Sequence, residues 1–150
     1  MAVLEIGISL GIKNLIEIKY YKSSQELDPN LRAGFLSALE SFTSEVFSDH
    51  IDVVSLASYK LVCDCEMITL PGEDKNNKQP LLAYAIIEKE TDSEVVKKLL
   101  NEIIQSFLNR FSINDIFSKK SKYFSNFQER IDKITGDLKL KTEDRFKSLF

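Results

Sequence analysis

The sequence is poor in the residue types that usually build catalytic and cofactor sites. It has a single histidine, His50, and only two cysteines, Cys63 and Cys65, in 150 residues. Its five glycines are scattered, and none belongs to a G-x-x-x-x-G-K loop, which cradles nucleotide phosphates. These absences argue against a nucleotide hydrolase of the P-loop type and indicate no cofactor. No other stretch of the chain contains a convincing catalytic constellation.

The sequence also lacks long apolar runs and a strong excess of one charge. No apolar run approaches the ~20 residues of a membrane span. The N-terminus has no basic region and carries Glu5 early, which is not the pattern of a signal peptide. With few cysteines and no export signal, we expect a cytoplasmic protein. The net charge of −3 argues against a dedicated nucleic-acid binder.

The charge is unevenly distributed along the chain. From Ser118 to Phe150 there are nine Lys/Arg and five Asp/Glu residues, a net charge of +4, so the preceding part carries −7. A basic C-terminal end could contact an acidic partner or a membrane. A solvated helix face is the simpler interpretation of the same charges.

The stretch from Asp28 to Phe47 has the pattern of one helix at the centre of the chain. Asp28 can cap the first turn, and Pro29 suits the first helical position, where a missing N–H costs nothing. Six apolar residues then recur at helical spacing and form one stripe. They are Leu31, Phe35, Ala38, Leu39, Phe42 and Val46.

Five runs with strand periodicity flank this helix, two before it and three after it. The last run is apolar on both faces, as expected of a central strand between two layers. A turn is predicted at Gly11–Asn14, and a long exposed loop at Pro71–Pro80. The predicted strands are Leu4–Leu10, Leu15–Lys22, Ile51–Leu56, Tyr59–Ile68 and Leu81–Ile87.

Two long amphipathic helices are predicted after the last strand. The first opens at Thr91–Ser93, and its apolar stripe runs from Val95 to Phe111. The second stripe runs from Ile113 to Ile134, and Gly136 is a natural C-terminal stop. We predict one α/β (α+β) domain over residues 1–136, followed by a tail or short helix over 137–150. The predicted sheet has five antiparallel strands, with one helix on one face and two on the other, in the order ββαβββαα.

This order of elements resembles the longin domain, a profilin-like fold. Besides the run Leu31–Phe47, the resemblance is carried by the strand Ser58–Val62, the strand Leu82–Lys89 and the helix start Glu94–Leu100. It covers about Val3 to Ile134 and is nearest to the stand-alone archaeal longin-like proteins of the longin/roadblock superfamily. The loop Pro71–Pro80 and the tail after Gly136 depart from that pattern.

The resemblance implies a non-enzymatic module of membrane-trafficking type. Such a module would bind or regulate small GTPases, or form a scaffold with itself or with another longin/roadblock-type protein as a dimer. Membrane association would then be peripheral and through partners. Fold alone does not establish function, so the surface has to be argued from residues. The candidate partner-binding residues are Leu36, Thr43 and Phe47, which lie off the central helix's main stripe, and Phe146 and Phe150 in the tail.

Three small constellations have alternative interpretations. Cys63 and Cys65 are two residues apart on a strand, at the limit of what a disulfide can bridge, and buried thiols are the simpler interpretation. Asp64 and Glu66 could do acid–base work, or could protect an exposed edge. His50 could be a base or metal ligand beside carboxylates, but a surface histidine at a helix end is the simpler interpretation. A ligand-sensing domain, with a cavity lined by the Cys63 and Tyr84 faces, remains the alternative function, and an enzyme using His50 a further one.

Overall fold

The computed structural model describes residues 3–11, 13–20, 53–56, 59–70 and 78–136. These residues form a mixed α+β structure with an antiparallel sheet, which confirms the predicted fold class at that level. The predicted central helix Asp28–Phe47 and the tail 137–150 lie outside the described residues.

The strands lie in the order β2-β1-β5-β4-β3 in one sheet, and all neighbours are antiparallel. The central strand is β5, and the side chains of Leu81–Ile87 within it are all buried, as its two-sided apolar pattern predicts. Four strands have seven to eleven residues, whereas the edge strand β3 has only four. The strands are β1 (Val3–Leu10), β2 (Lys13–Lys19), β3 (Val53–Leu56), β4 (Tyr59–Thr69) and β5 (Lys78–Glu88).

Two connections between strands are shorter in the structure than predicted from the sequence. Asn14 pairs with Ser9 inside the β1–β2 hairpin, so the predicted turn Gly11–Asn14 was too wide. Gly11 has φ +58°, a backbone conformation that glycine adopts without steric cost. The predicted loop Pro71–Pro80 also loses its last three residues, because β5 already begins at Lys78.

A hydrogen bond to Pro80 shows in which direction the backbone groups along β5 and β4 point. The amide of Gly11 donates to the carbonyl of Pro80 over 2.9 Å, so the backbone of Pro80 points toward β1. Proline can therefore stand in this strand without removing a bond to β4. Because hydrogen-bonding direction alternates along an antiparallel strand, the backbones of Asp64 and Glu66 point to β5. Those of Cys65, Met67 and Thr69 point to the opposite side of β4.

The first predicted C-terminal helix is confirmed as α1 (Ser93–Arg110). The side chain of Asp92 accepts from the amide of Glu94 over 2.9 Å and caps its first turn. Val95, which the predicted stripe included, is 45% exposed, so the stripe begins one residue later. The buried residues of α1 are Val96, Leu99, Leu100, Ile103, Ile104 and Phe107.

The prediction that the second stripe forms one continuous helix is wrong. This region consists of α2 (Ile113–Ser118), a 3₁₀ helix (Ser121–Phe127) and α3 (Gln128–Thr135). Lys119 and Lys120 are both extended and interrupt the helical backbone. Phe124 and Phe127 are three residues apart and both buried, a spacing that a helix of three residues per turn places on one face. The stop at Gly136 is confirmed, with φ +55°.

The main apolar core lies between one sheet face and these helices. It joins Ile6 and Ile8 of β1, Ala83 and Ala85 of β5 and the buried residues of the helices. A second set of buried apolar side chains lies outside this cluster. The set has six members. Because the side chains of a cross-strand pair lie on the same sheet face, the strand pairing puts five of these six on the face opposite the main core. This set is Leu61, Cys63, Leu82, Tyr84 and Ile86, together with Leu4, where the β1 register shifts.

Candidate functional site

The partner-binding residues of the central helix and the tail stay a prediction. Leu36, Thr43, Phe47, Phe146 and Phe150 all lie outside the described residues. His50 and its flanking carboxylates lie outside them as well, so the enzyme hypothesis also stays a prediction.

The acidic residues of β4 hold α1 on the sheet. The side-chain amides of Asn101 and Gln105 donate to Asp64 and Glu66, each over 3.0 Å. Lys60 donates to the carbonyl of Thr91 over 2.8 Å and secures the turn before α1. Glu66 is exposed and Asp64 half-buried, so this strand face is only partly covered. These contacts attach α1 to β4, and we call this boundary between the strand and the helix the seam.

A cleft of about 370 Å³ lies along this seam. Its lining is polar: Asp64 from the strand, and Glu94, Lys97, Lys98 and Asn101 from α1. None of these residues is on the Cys63 and Tyr84 face, where the ligand-sensing alternative expects a cavity. The cleft therefore does not favour that alternative.

Neither Cys63 nor Cys65 is part of a disulfide bond. Cys63 is buried, and Cys65 is half-buried. Burial raises the pKa of the Cys65 thiol above its ordinary value, and the neighbouring charge of Asp64 adds to this effect. A raised pKa disfavours the thiolate, which is the reactive form of cysteine.

A buried polar pair lies on the second sheet face. The hydroxyl of Tyr84 donates to Glu5 over 2.9 Å, and both residues are at most 4% exposed. Gly7 stands directly opposite Tyr84 in the neighbouring strand. A Cβ atom at Gly7 would overlap the phenol ring, so the glycine provides the space across which Tyr84 reaches Glu5. The tyrosine ring thus occupies part of the face that the ligand-sensing alternative would need.

A tyrosine also joins the sheet edge to the last helix. The hydroxyl of Tyr20, which follows β2, donates to Asp132 of α3 over 2.6 Å. Burial raises the pKa of Tyr20 above its ordinary value, and Asp132 raises it further, because both disfavour a phenolate there. Lys13 of β2 donates to the carbonyl of Lys119 over 2.8 Å, near the end of α2. These bonds fix the helices along the β2 edge.

The outer side of β4 pairs with a described strand along only part of its length. Within the described residues, the short strand β3 pairs with Tyr59–Val62, although β4 continues to Thr69. No described strand pairs with the outer side of the remaining length. There the backbone groups of Cys65, Met67 and Thr69 point away from β5 and can pair with an added strand.

The edge formed by β2 differs from the outer side of β4 in its charge. Along β2, Asn14, Glu17 and Lys19 are exposed, and charged side chains on an edge strand discourage pairing with a second chain. The outward positions of β4, Cys65, Met67 and Thr69, carry no charge and are half-buried. The part of β4 beyond Val62 is therefore better suited than the β2 edge to bind another strand.

The sequence analysis placed the candidate interaction surface on the central helix and in the C-terminal tail, and it did not single out this edge. A signal was present, because the predicted strand Ile51–Leu56 is much shorter than the next strand, Tyr59–Ile68. Neighbouring strands of unequal length leave part of the longer one unpaired. Sequence alone does not reveal which two strands are neighbours, so the signal needed the sheet order.

Other kinds of site find no support in the described residues. No group of three or more His, Cys, Asp or Glu side chains within them is arranged to hold a metal ion. None of their helices combines the length and the apolar character needed to cross a membrane.

Comparison with known proteins does not assign the chain to a family. No protein-family model matches it, and no curated protein is significantly similar to it.

Proposed function

We propose that this chain is a longin-like interaction module that binds a small GTPase or another longin/roadblock-type protein, and that the outer side of β4 is its binding edge. The observation that carries the proposal is the unequal length of β3 and β4, which leaves Cys65, Met67 and Thr69 facing outward. The activity is binding and involves no catalysed reaction.

The order of the described elements supports the longin resemblance. Two strands come first, three strands follow after a long connection, and the helices come last. Because β2 and β3 are at opposite edges, residues 20–52 have to bridge four strand spacings, about 19 Å. A helix over Asp28–Phe47 would be about 30 Å long, which is sufficient for that crossing. It would also provide the single helix that the resemblance implies on the second face.

The chemistry of the edge favours a particular kind of partner strand. Asp64 and Glu66 alternate with the outward-facing residues, and β4 has no basic residue from Cys63 to Thr69. An added strand would gain main-chain hydrogen bonds from the edge and side-chain attraction from basic residues placed opposite these carboxylates. This arrangement suits a partner that presents an extended basic segment.

The partner class is tested by affinity capture from lysate of the source cells. The chain is immobilised and the lysate is applied with GDP in one sample and a non-hydrolysable GTP analogue in the other. We expect a small GTPase to be retained in one nucleotide state, because an effector or regulator distinguishes the two states. The Met67→Lys variant should retain much less of it, since an edge lysine opposes strand addition.

The control is Asn14→Lys, which adds the same charge to the exposed β2 edge and should bind like the unmodified chain. Capture of no GTPase in either nucleotide, from a chain that sediments as a monomer, would contradict the proposal. Equal loss of binding in both lysine variants would contradict the choice of edge.

A further inference from the structure

The geometry points to a second surface, a basic corner that binds anionic membrane directly. The basic corner consists of Arg110, Phe111, Lys119, Lys120, Lys122 and Tyr123, where α1 ends and the 3₁₀ helix begins. This inference goes beyond the proposed function, in which membrane association is through partners. It does not depend on the identity of any partner.

The corner is organised around a short row of aromatic rings. The ring of Tyr123 lies 5.8 Å from that of Phe111, and the Arg110 guanidinium carbon lies 5.6 Å from the Phe111 ring. At the other end of the row, the Lys119 ammonium nitrogen lies 5.4 Å from the Tyr123 ring. Cations therefore flank the aromatic row on both sides.

Tyr123 is suited to the interface between water and lipid. Its side chain is 48% exposed, unusual for a residue that packs against buried Phe124. Its hydroxyl donates to Asp115 over 3.1 Å, so the polar group already has a partner within the chain. The ring can enter the headgroup region without losing that hydrogen bond, and tyrosine is enriched at that depth of a bilayer.

The charges favour a membrane over an acidic protein segment. Three of the four cations are exposed lysines, whose mobile ammonium groups match the diffuse charge of a lipid surface. Specific recognition of carboxylates more often uses the planar fork of arginine. Asp115 offsets one positive charge, which leaves the corner at about +3 within a chain of net charge −3. Attraction would therefore orient the chain with this corner toward the lipid.

The test measures binding of the full chain to vesicles without any partner protein. Vesicles of phosphatidylcholine alone are compared with vesicles containing about one third phosphatidylserine, in a flotation assay at low salt. We expect binding only to the anionic vesicles and loss of binding as salt rises, because the attraction is electrostatic. Replacing Lys120 and Lys122 with glutamate should weaken binding about 20-fold or more, given the contribution of each cation near such a surface.

The matched control replaces Lys89 and Lys98 with glutamate. Both are exposed, and Lys89 lies at the opposite end of α1, whose 18 residues span about 27 Å. Each pair changes the net charge equally, so only the position differs. Equal weakening in both variants, or no binding to anionic vesicles, would overturn the inference. Binding of soluble polyglutamate at the same corner, without binding of vesicles, would overturn it in favour of an acidic protein partner.

Discussion

Replacing Gly7 with alanine is expected to lower the free energy of unfolding by about 3 kcal/mol, toward the upper end of overpacking costs. A methyl group there would overlap the Cε1 and Cζ atoms of Tyr84. The ring cannot turn aside freely, because it is buried and its hydroxyl is bound to Glu5. Any shift that relieves the overlap would weaken a hydrogen bond to a buried carboxylate. Urea unfolding of the purified variant measures the effect.

A double-mutant cycle separates this mechanism from the intrinsic effect of alanine in a strand. In a Tyr84→Ala background the ring is absent, so Gly7→Ala should cost little or become slightly stabilising. The double variant should therefore be destabilised by much less than the sum of the two single variants, which corresponds to a large coupling energy between the two positions. Additive effects at the two positions would show that Tyr84 does not require the glycine.

Replacing Phe107 with alanine is expected to lower the free energy of unfolding by about 4 kcal/mol, as in other large-to-small core substitutions. Phe107 is fully buried and its ring lies within 5.3 Å of the ring centroids of Phe111, Phe124 and Phe127. Its removal leaves a cavity where α1 meets the 3₁₀ helix, and these backbones cannot close around it without breaking their own packing. Thermal and urea unfolding measure the loss.

The control for Phe107→Ala is Val95→Ala on the same helix. Val95 is 45% exposed and was included in the same apolar stripe by its spacing. Its replacement should change the free energy of unfolding by no more than about 0.5 kcal/mol. Similar losses at both positions would contradict the placement of α1 on the sheet.

Local patterns in the sequence were sufficient for most of the described fold. Alternating apolar residues located the strands, and the segment Thr91–Ser93 and Gly136 marked helix ends that the structure confirms. The continuous second helix was wrong because helical periodicity does not reveal the extended residues Lys119 and Lys120. An apolar spacing of three residues fits both an α-helix and a 3₁₀ helix, so Phe124 and Phe127 did not distinguish them.

The candidate binding edge on β4 could not be predicted from local patterns in the sequence. Met67 has the same local pattern whether or not a strand pairs with it, since the pattern reports side-chain burial and not main-chain bonding. The Glu5–Tyr84 pair was also missed, because the two residues are 79 positions apart and meet only through the pairing of β1 with β5. Long-range register decides both features.

Residue-resolved amide hydrogen exchange along β4 tests the central claim most directly. It is measured by NMR on the chain at a concentration where sedimentation shows a monomer, and again in the complex with the captured partner. In the monomer, the amides of Cys65 and Met67 should exchange rapidly, and those of Asp64 and Glu66, which face β5, slowly. In the complex, Cys65 and Met67 should become protected. Slow exchange at both positions in the monomer, or rapid exchange at both in the complex, would contradict the assignment of this edge as the binding site.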